Sequence, residues 1–70
     1  MIQVKTKLGD QMWVNPHHVV CALPDEDGDT VIITLSDGGE TIELDSVEWH
    51  FFKEVSRREF GIKFIERKNG

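Results

Sequence analysis

The sequence predicts one small α+β domain over residues 1–70: an antiparallel, curled β-meander of about five short strands, one C-terminal helix and a final strand or arm. Three observations lead there. The β-branched run Thr30-Val-Ile-Ile-Thr-Leu35 turns at Asp37-Gly38-Gly39 and returns through Glu40-Thr-Ile-Glu-Leu44. Glycine supplies the positive φ that tight hairpin turns need, so this stretch reads as a hairpin. Turn residues recur at intervals of roughly eight to twelve residues, the spacing of a small all-antiparallel sheet. Asp45 and Ser46, both good N-caps, then open the segment Val-Glu-Trp-His-Phe-Phe.

In chain order, Ile2, Val4, Thr6 and Leu8 alternate with Gln3, Lys5 and Lys7, which is the period of a half-buried strand. Gly9-Asp10 turns the chain, and Gln11-Met12-Trp13-Val14 returns as a second strand. Trp13 is expected in the core, because tryptophan dominates burial in small domains. Asn15-Pro16 ends the strand, since proline cannot donate to a ladder. His18 to Leu23 reads as a short strand that stops at Pro24, and Asp25-Glu26-Asp27-Gly28-Asp29 reads as an acidic turn.

Residues from Asp45 to about Phe60 are expected to be helical. On a wheel of 100° per residue, Val47, Phe51, Phe52 and Val55 share an arc of roughly 140°, and Trp49 lies about 135° from its centre. That places Trp49 on the solvent side, where an uncovered indole marks an interface. The alternative is a strand over Ser46–Phe52 with Val47, Trp49 and Phe51 inside. The charged stretch Lys53–Glu59 is poor strand material and favours the helix. Gly61 is a natural stop, and Ile62-Lys-Phe-Ile-Glu66 suits the final strand or arm.

Composition bounds the function. The net charge is −5, unevenly spread. Lys5 and Lys7 open the chain. Residues 9–52 hold no Lys or Arg but ten acids: Asp10, Asp25, Glu26, Asp27, Asp29, Asp37, Glu40, Glu43, Asp45 and Glu48. From Lys53 on, six bases face three acids. Cys21 is the only cysteine, which excludes an intrachain disulfide. A chain this short without a disulfide commonly gains stability by association, so a homo-oligomer is expected. The longest apolar run, Val19–Leu23, is too short for a membrane span, and no basic-then-apolar leader opens the chain. A cytoplasmic protein without a membrane partner is expected.

Catalytic and metal motifs fail on spacing. His17, His18, Cys21 and His50 lack the CxxC or HxxxH elements of a zinc site. Counted from Asp25, position 6 is not glycine and position 12 is Ser36, against the calcium loop. Ser36 and Ser46 lie in no GxSxG elbow. The expectation is therefore a non-enzyme with no cofactor and no metal, acting as a protein–protein interaction or regulatory module. Its interface anchors are expected to be Trp49, Phe52, Ile62 and Phe64. A second expectation is nucleic-acid binding through Arg57, Arg58, Lys63 and Arg67, although Glu54 and Glu59 interleave with those bases. A third is a small phage-type inhibitor whose acidic face, Asp25, Glu26, Asp27 and Asp29, imitates nucleic acid in a basic groove.

Ile2…Val4…Leu8-Gly9…Val14-Asn15-Pro16-His17-His18-Val19, followed by Thr30-Val-Ile-Ile-Thr-Leu-Ser-Asp-Gly-Gly39…Ile42…Asp45-Ser-Val-Glu48, resembles the FlbD family of small proteins encoded among bacterial flagellar genes. The resemblance covers about residues 2–55. It implies two hairpins around an Asn-Pro turn, a bacterial or phage source, and a non-enzymatic regulatory or assembly role. The acidic 25–29 turn, the Trp-His-Phe-Phe segment and the Gly61–Gly70 tail depart from the family pattern. The sheet is more remotely similar to the LytTR DNA-binding domain, which implies nucleic acid.

Overall fold

The computed structural model describes residues 1–66. Strands β1 (Ile2–Lys5) and β2 (Gln11–Val14) form an antiparallel hairpin. Strands β3 (Val19–Pro24), β4 (Thr30–Leu35) and β5 (Thr41–Asp45) form a three-stranded antiparallel sheet in that order. The helix α1 (Ser46–Phe60) follows β5 without a linker. The class is α+β, with five strands and one C-terminal helix among the described residues, as the sequence predicts. The strands divide between two sheets instead of joining in one. The reason lies at Asn15-Pro16. The Asn15 side chain accepts from the His17 N–H at 2.9 Å and starts a single turn of 3-10 helix over Pro16–His18. That turn carries β3 away from β2. The sheets meet where the Lys7 N–H donates to the Glu43 carbonyl at 2.9 Å.

The core is assembled from both sheets and the helix: Ile2, Val4, Val14, Ala22, Val31, Ile33, Leu35, Ile42, Leu44, Trp49, Phe52 and Val55. Each fully buried side chain of the Val, Leu, Ile or Phe type contributes about 1.5–3 kcal/mol over its exposed state.

Two expectations for the first hairpin change. Ile2 pairs with Val14 and Val4 with Met12, so these four share the inward face. Trp13 pairs with Gln3 on the outward face and is 60% exposed, where the core was expected. Turning Trp13 inward would turn Met12 and Val14 out, because side chains alternate strictly along a strand. Strand geometry also stops at Lys5. Residues from Thr6 to Asp10 form a turn in which the Thr6 N–H donates to the Asp10 carbonyl at 2.8 Å, and Leu8 stands at its tip, exposed.

The helix is confirmed in extent and corrected in phase. Its buried face is Trp49, Phe52, Val55 and Ser56, while Val47 and Phe51 face solvent. Both candidate faces share Phe52 and Val55. The observed one gains the large indole, and it buries Ser56 without loss because the hydroxyl donates to the Phe52 carbonyl at 2.7 Å. Trp49 and Phe52, expected as interface anchors, are therefore core residues, 4% and 1% exposed.

The ends of α1 are fixed locally. Asp45 caps it, accepting from the Glu48 N–H at 2.7 Å. Glu48 does not reach back to complete a capping box; it accepts from the Lys5 N–H at 3.1 Å and ties β1 to the helix. At the other end Gly61 adopts φ 67°, its N–H bonding Arg57 and that of Ile62 bonding Ser56. The Gly61-to-Arg57 bond is the five-to-one closure of a left-handed αL cap, which only glycine adopts without a Cβ penalty. It sends residues 62–66 back along the helix, where the expected final strand contracts to one parallel bridge, Ala22 with Glu66.

Candidate protein-interaction surface

The returning tail is held by aromatic stacking and one carboxylate. Phe64 lies 5.3 Å from Trp49 and 5.5 Å from Phe52, ring centre to ring centre. The Trp49 Nε1–H donates to Glu66 Oε1 at 2.9 Å, and Lys53 Nζ meets the same oxygen at 3.0 Å. These contacts hold the Glu66 carboxyl below the usual range, the indole N–H contributing most and Lys53 the rest against partial burial. Ile62 and Phe64, expected at an interface, are half-buried as the packing of this tail. Sequence reasoning could not pair Glu66 with Trp49, because it had turned the indole to solvent.

Between α1 and the tail runs an open groove of about 270 Å³ lined by His50, Lys53, Arg57, Lys63, Ile62 and Phe64, with Glu54 and Glu66 beside them. It brings Arg57 and Lys63 together, two of the bases expected to meet phosphates. Arg57 is paired with Glu54 at 3.1 Å, one helical turn away. Arg58 is exposed and lies outside the groove lining. Arg67 lies outside the described residues.

The acidic turn is knitted into the fold. Asp27 Oδ1 accepts the N–H groups of Asp29 and Thr30, both at 2.9 Å, and its Oδ2 accepts the Thr30 hydroxyl at 2.6 Å. Those bonds hold its carboxyl far below the ordinary aspartate range: the Thr30 hydroxyl contributes most, then the two N–H groups, with Lys7 adding a smaller part. Lys7 Nζ also reaches the Thr30 hydroxyl at 2.7 Å and Asp29 at 3.5 Å. The Ser46 hydroxyl donates to Asp29 at 3.2 Å. Asp25 caps the Glu26 N–H at 2.8 Å. Asp27 and Asp29 are thus engaged in building the turn, and Glu26 is left to solvent among the four acids expected to act together.

An uncovered apolar surface lies on the face of the β3–β4–β5 sheet turned away from α1. Its origin is a bulge. Val19 pairs with Leu35 but Cys21 with Thr34, so β3 carries one residue too many at Val20. The extra residue shifts the alternation: Val19 and Ala22 turn inward, while Val20, Cys21 and Leu23 turn out. Leu23 stands opposite Ile32, and Cys21 opposite Thr34. The tail adds to the same face. The Ala22 N–H donates to the Ile65 carbonyl at 2.9 Å. Phe64 and Glu66 then point to the helix side, and Ile65 points out. Val20, Leu23 and Ile65 are 50%, 39% and 66% exposed. No residue of this face was expected at an interface from sequence, because a bulge has no signature in an apolar run.

Among the described residues, no three His, Cys, Asp or Glu side chains gather as a metal site, and no helix is long and apolar enough to cross a membrane. Compared with known proteins, the chain matches no family model, no curated protein and no solved structure.

Proposed function

We propose that this chain is a non-catalytic protein-interaction module, recognising a protein partner through the outward face of the β3–β4–β5 sheet and the tail. The observation that carries the reading is the grouping of Val20, Leu23, Ile32 and Ile65 on one face, three of them substantially exposed. Contiguous exposed apolar surface of this kind is what protein–protein contacts bury at their centres. Glu43, opposite Ile32, supplies a polar rim. A regulatory or assembly role of the kind implied by the FlbD-like stretch fits such a module. Arg57 and Lys63 in the groove beside α1 support a second reading, nucleic-acid binding.

The test is affinity capture from source-cell extract with the immobilised chain, with and without nuclease treatment and at low and high salt. Retention of a protein at high salt after nuclease supports the first reading, since apolar burial is little screened. Retention that vanishes with nuclease, or falls steeply with salt, supports the second and overturns the first.

A further inference from the structure

The free edge of β2 carries a hydrogen-bonding pattern that fits a second copy of itself. In an antiparallel pair, opposed residues alternate between hydrogen-bonded and non-hydrogen-bonded pairs. The Thr6 N–H donates to the Asp10 carbonyl at 2.8 Å, one step beyond the Lys5–Gln11 pair. Val4–Met12 and Ile2–Val14 are therefore the bonded pairs of the hairpin. Lys5 and Lys7 aim their main-chain groups away from β2, and both N–H groups are used on that side, by Glu48 at 3.1 Å and Glu43 at 2.9 Å. By the same alternation Gln11 and Trp13 aim N–H and C=O away from β1. Among the described residues, β2 has no strand partner other than β1, and no turn or side-chain hydrogen bond reaches those outward main-chain groups.

We propose that β2 pairs with β2 of a second copy about a two-fold axis at Met12, joining two hairpins into one four-stranded antiparallel sheet. In that register Gln11 stands opposite Trp13 of the second copy, and the reverse, each pair exchanging both main-chain bonds. The strand complements itself in charge as well as in hydrogen bonding. Gln-Met-Trp-Val has no charge and no proline, the devices that blunt the edges of natural sheets. Asp10 falls opposite Val14 of the second copy, so like charges never meet. A register shifted one pair toward Asn15 is disfavoured, because the Asn15 carbonyl already accepts from the His18 N–H at 2.9 Å. Trp13, 60% exposed in one chain, comes to lie over Gln11 of the other and diagonal to its own counterpart, within reach of an aromatic ring. A two-stranded hairpin is marginal alone, and the pairing gives it neighbours. This surface is separate from the outward face of the β3–β4–β5 sheet, so failure of the pairing leaves the proposed partner surface standing.

The experiment is sedimentation equilibrium over a concentration series with the full chain, alongside Trp13→Lys and Trp13→Pro. The Trp13 N–H takes no part in the β1 ladder, so the proline removes an outward donor without breaking the hairpin; if circular dichroism shows it unfolded, the lysine variant carries the test. The expected result is a mass rising from 8.0 kDa to twice that value for the wild type and constant at 8.0 kDa for the variants. The register is read by Met12→Cys in a Cys21→Ser background. Met12 residues facing across the axis form a non-hydrogen-bonded pair about 4.5 Å apart at Cα, within disulfide reach. Oxidised glutathione should cross-link this variant at least about tenfold faster than Leu8→Cys in the same background, because pairing raises the effective thiol concentration. A wild type monomeric throughout, a dimer that survives Trp13→Lys, or equal cross-linking at Met12 and Leu8 overturns the proposal.

Discussion

The indole N–H of Trp49 and the carboxylate of Glu66 meet at 2.9 Å, and this bond fastens the tail across the buried face of the helix. The same carboxylate receives Lys53, whose ammonium lies 5.6 Å from the centre of the indole. Replacing Glu66 by Gln keeps an acceptor and removes the charge. The expected cost is about 0.5 kcal/mol, since charged acceptors bind more strongly than neutral ones but this group is near half exposed. The folded carboxyl titrates below its unfolded value, so its contribution is present above the ordinary glutamate range and fades as pH falls through the folded value. Thermal melts of wild type and Glu66→Gln should therefore differ at neutral pH and converge as pH falls below the ordinary glutamate range.

The two tryptophans should behave as opposites. Trp49→Ala removes a ring stacked on Phe52 and tilted against Phe64 and should cost about 3–5 kcal/mol, enough to unfold much of a domain this small. Trp13→Ala, measured at dilution, should stay within about 0.5 kcal/mol of wild type. Fluorescence gives a second check: the Trp13→Phe protein, left with the buried Trp49 alone, should emit to the blue of the Trp49→Phe protein, left with the exposed Trp13.

Gly61→Ala places a Cβ on a residue at φ 67°, in otherwise open space. The expected cost is about 1 kcal/mol from the left-handed backbone alone. Because this residue turns the chain back toward Trp49, the loss should be accompanied by faster amide exchange at Ala22, whose N–H bonds Ile65.

Asp27→Asn should destabilise the protein at neutral pH and flatten its acid limb. The carboxyl is held below its unfolded value by the Thr30 hydroxyl first and by two N–H groups. Its contribution is therefore complete above the ordinary aspartate range and lost as pH falls toward the folded value. Urea melts from pH 7 to pH 2 should show wild-type stability declining more steeply than that of the variant. Parallel curves would show that the carboxylate does not hold the turn.

The elements were legible in the sequence, and what faces what was less so. The β4–β5 hairpin, the Asp45 cap and the Gly61 stop are local events written in a few residues, and they stand where the sequence puts them. The phase of α1 was not local. Val47 and Phe51 extend one apolar arc and Trp49 another, and only the sheet beneath, with Phe64 returning over it, selects the second. Trp13 failed for the converse reason, since hydrophobicity favoured burial while register with Ile2 and Val4 forbade it. The bulge at Val20 left no trace, yet it decides that Leu23 faces solvent and Ala22 the core. Of the residues expected at an interface, Ile62 and Phe64 proved to be the packing of the tail, and the exposed apolar side chain of residues 62–66 is Ile65, between Phe64 and Glu66 in the alternation.

The most direct measurement is partner retention by the Leu23→Lys, Ile65→Lys double variant, with its melting temperature taken on the same preparation. Both side chains point away from the core, so the melt should shift little, while capture of the protein retained by wild type should be lost. Undiminished capture by the folded variant would contradict the account and move recognition off this face.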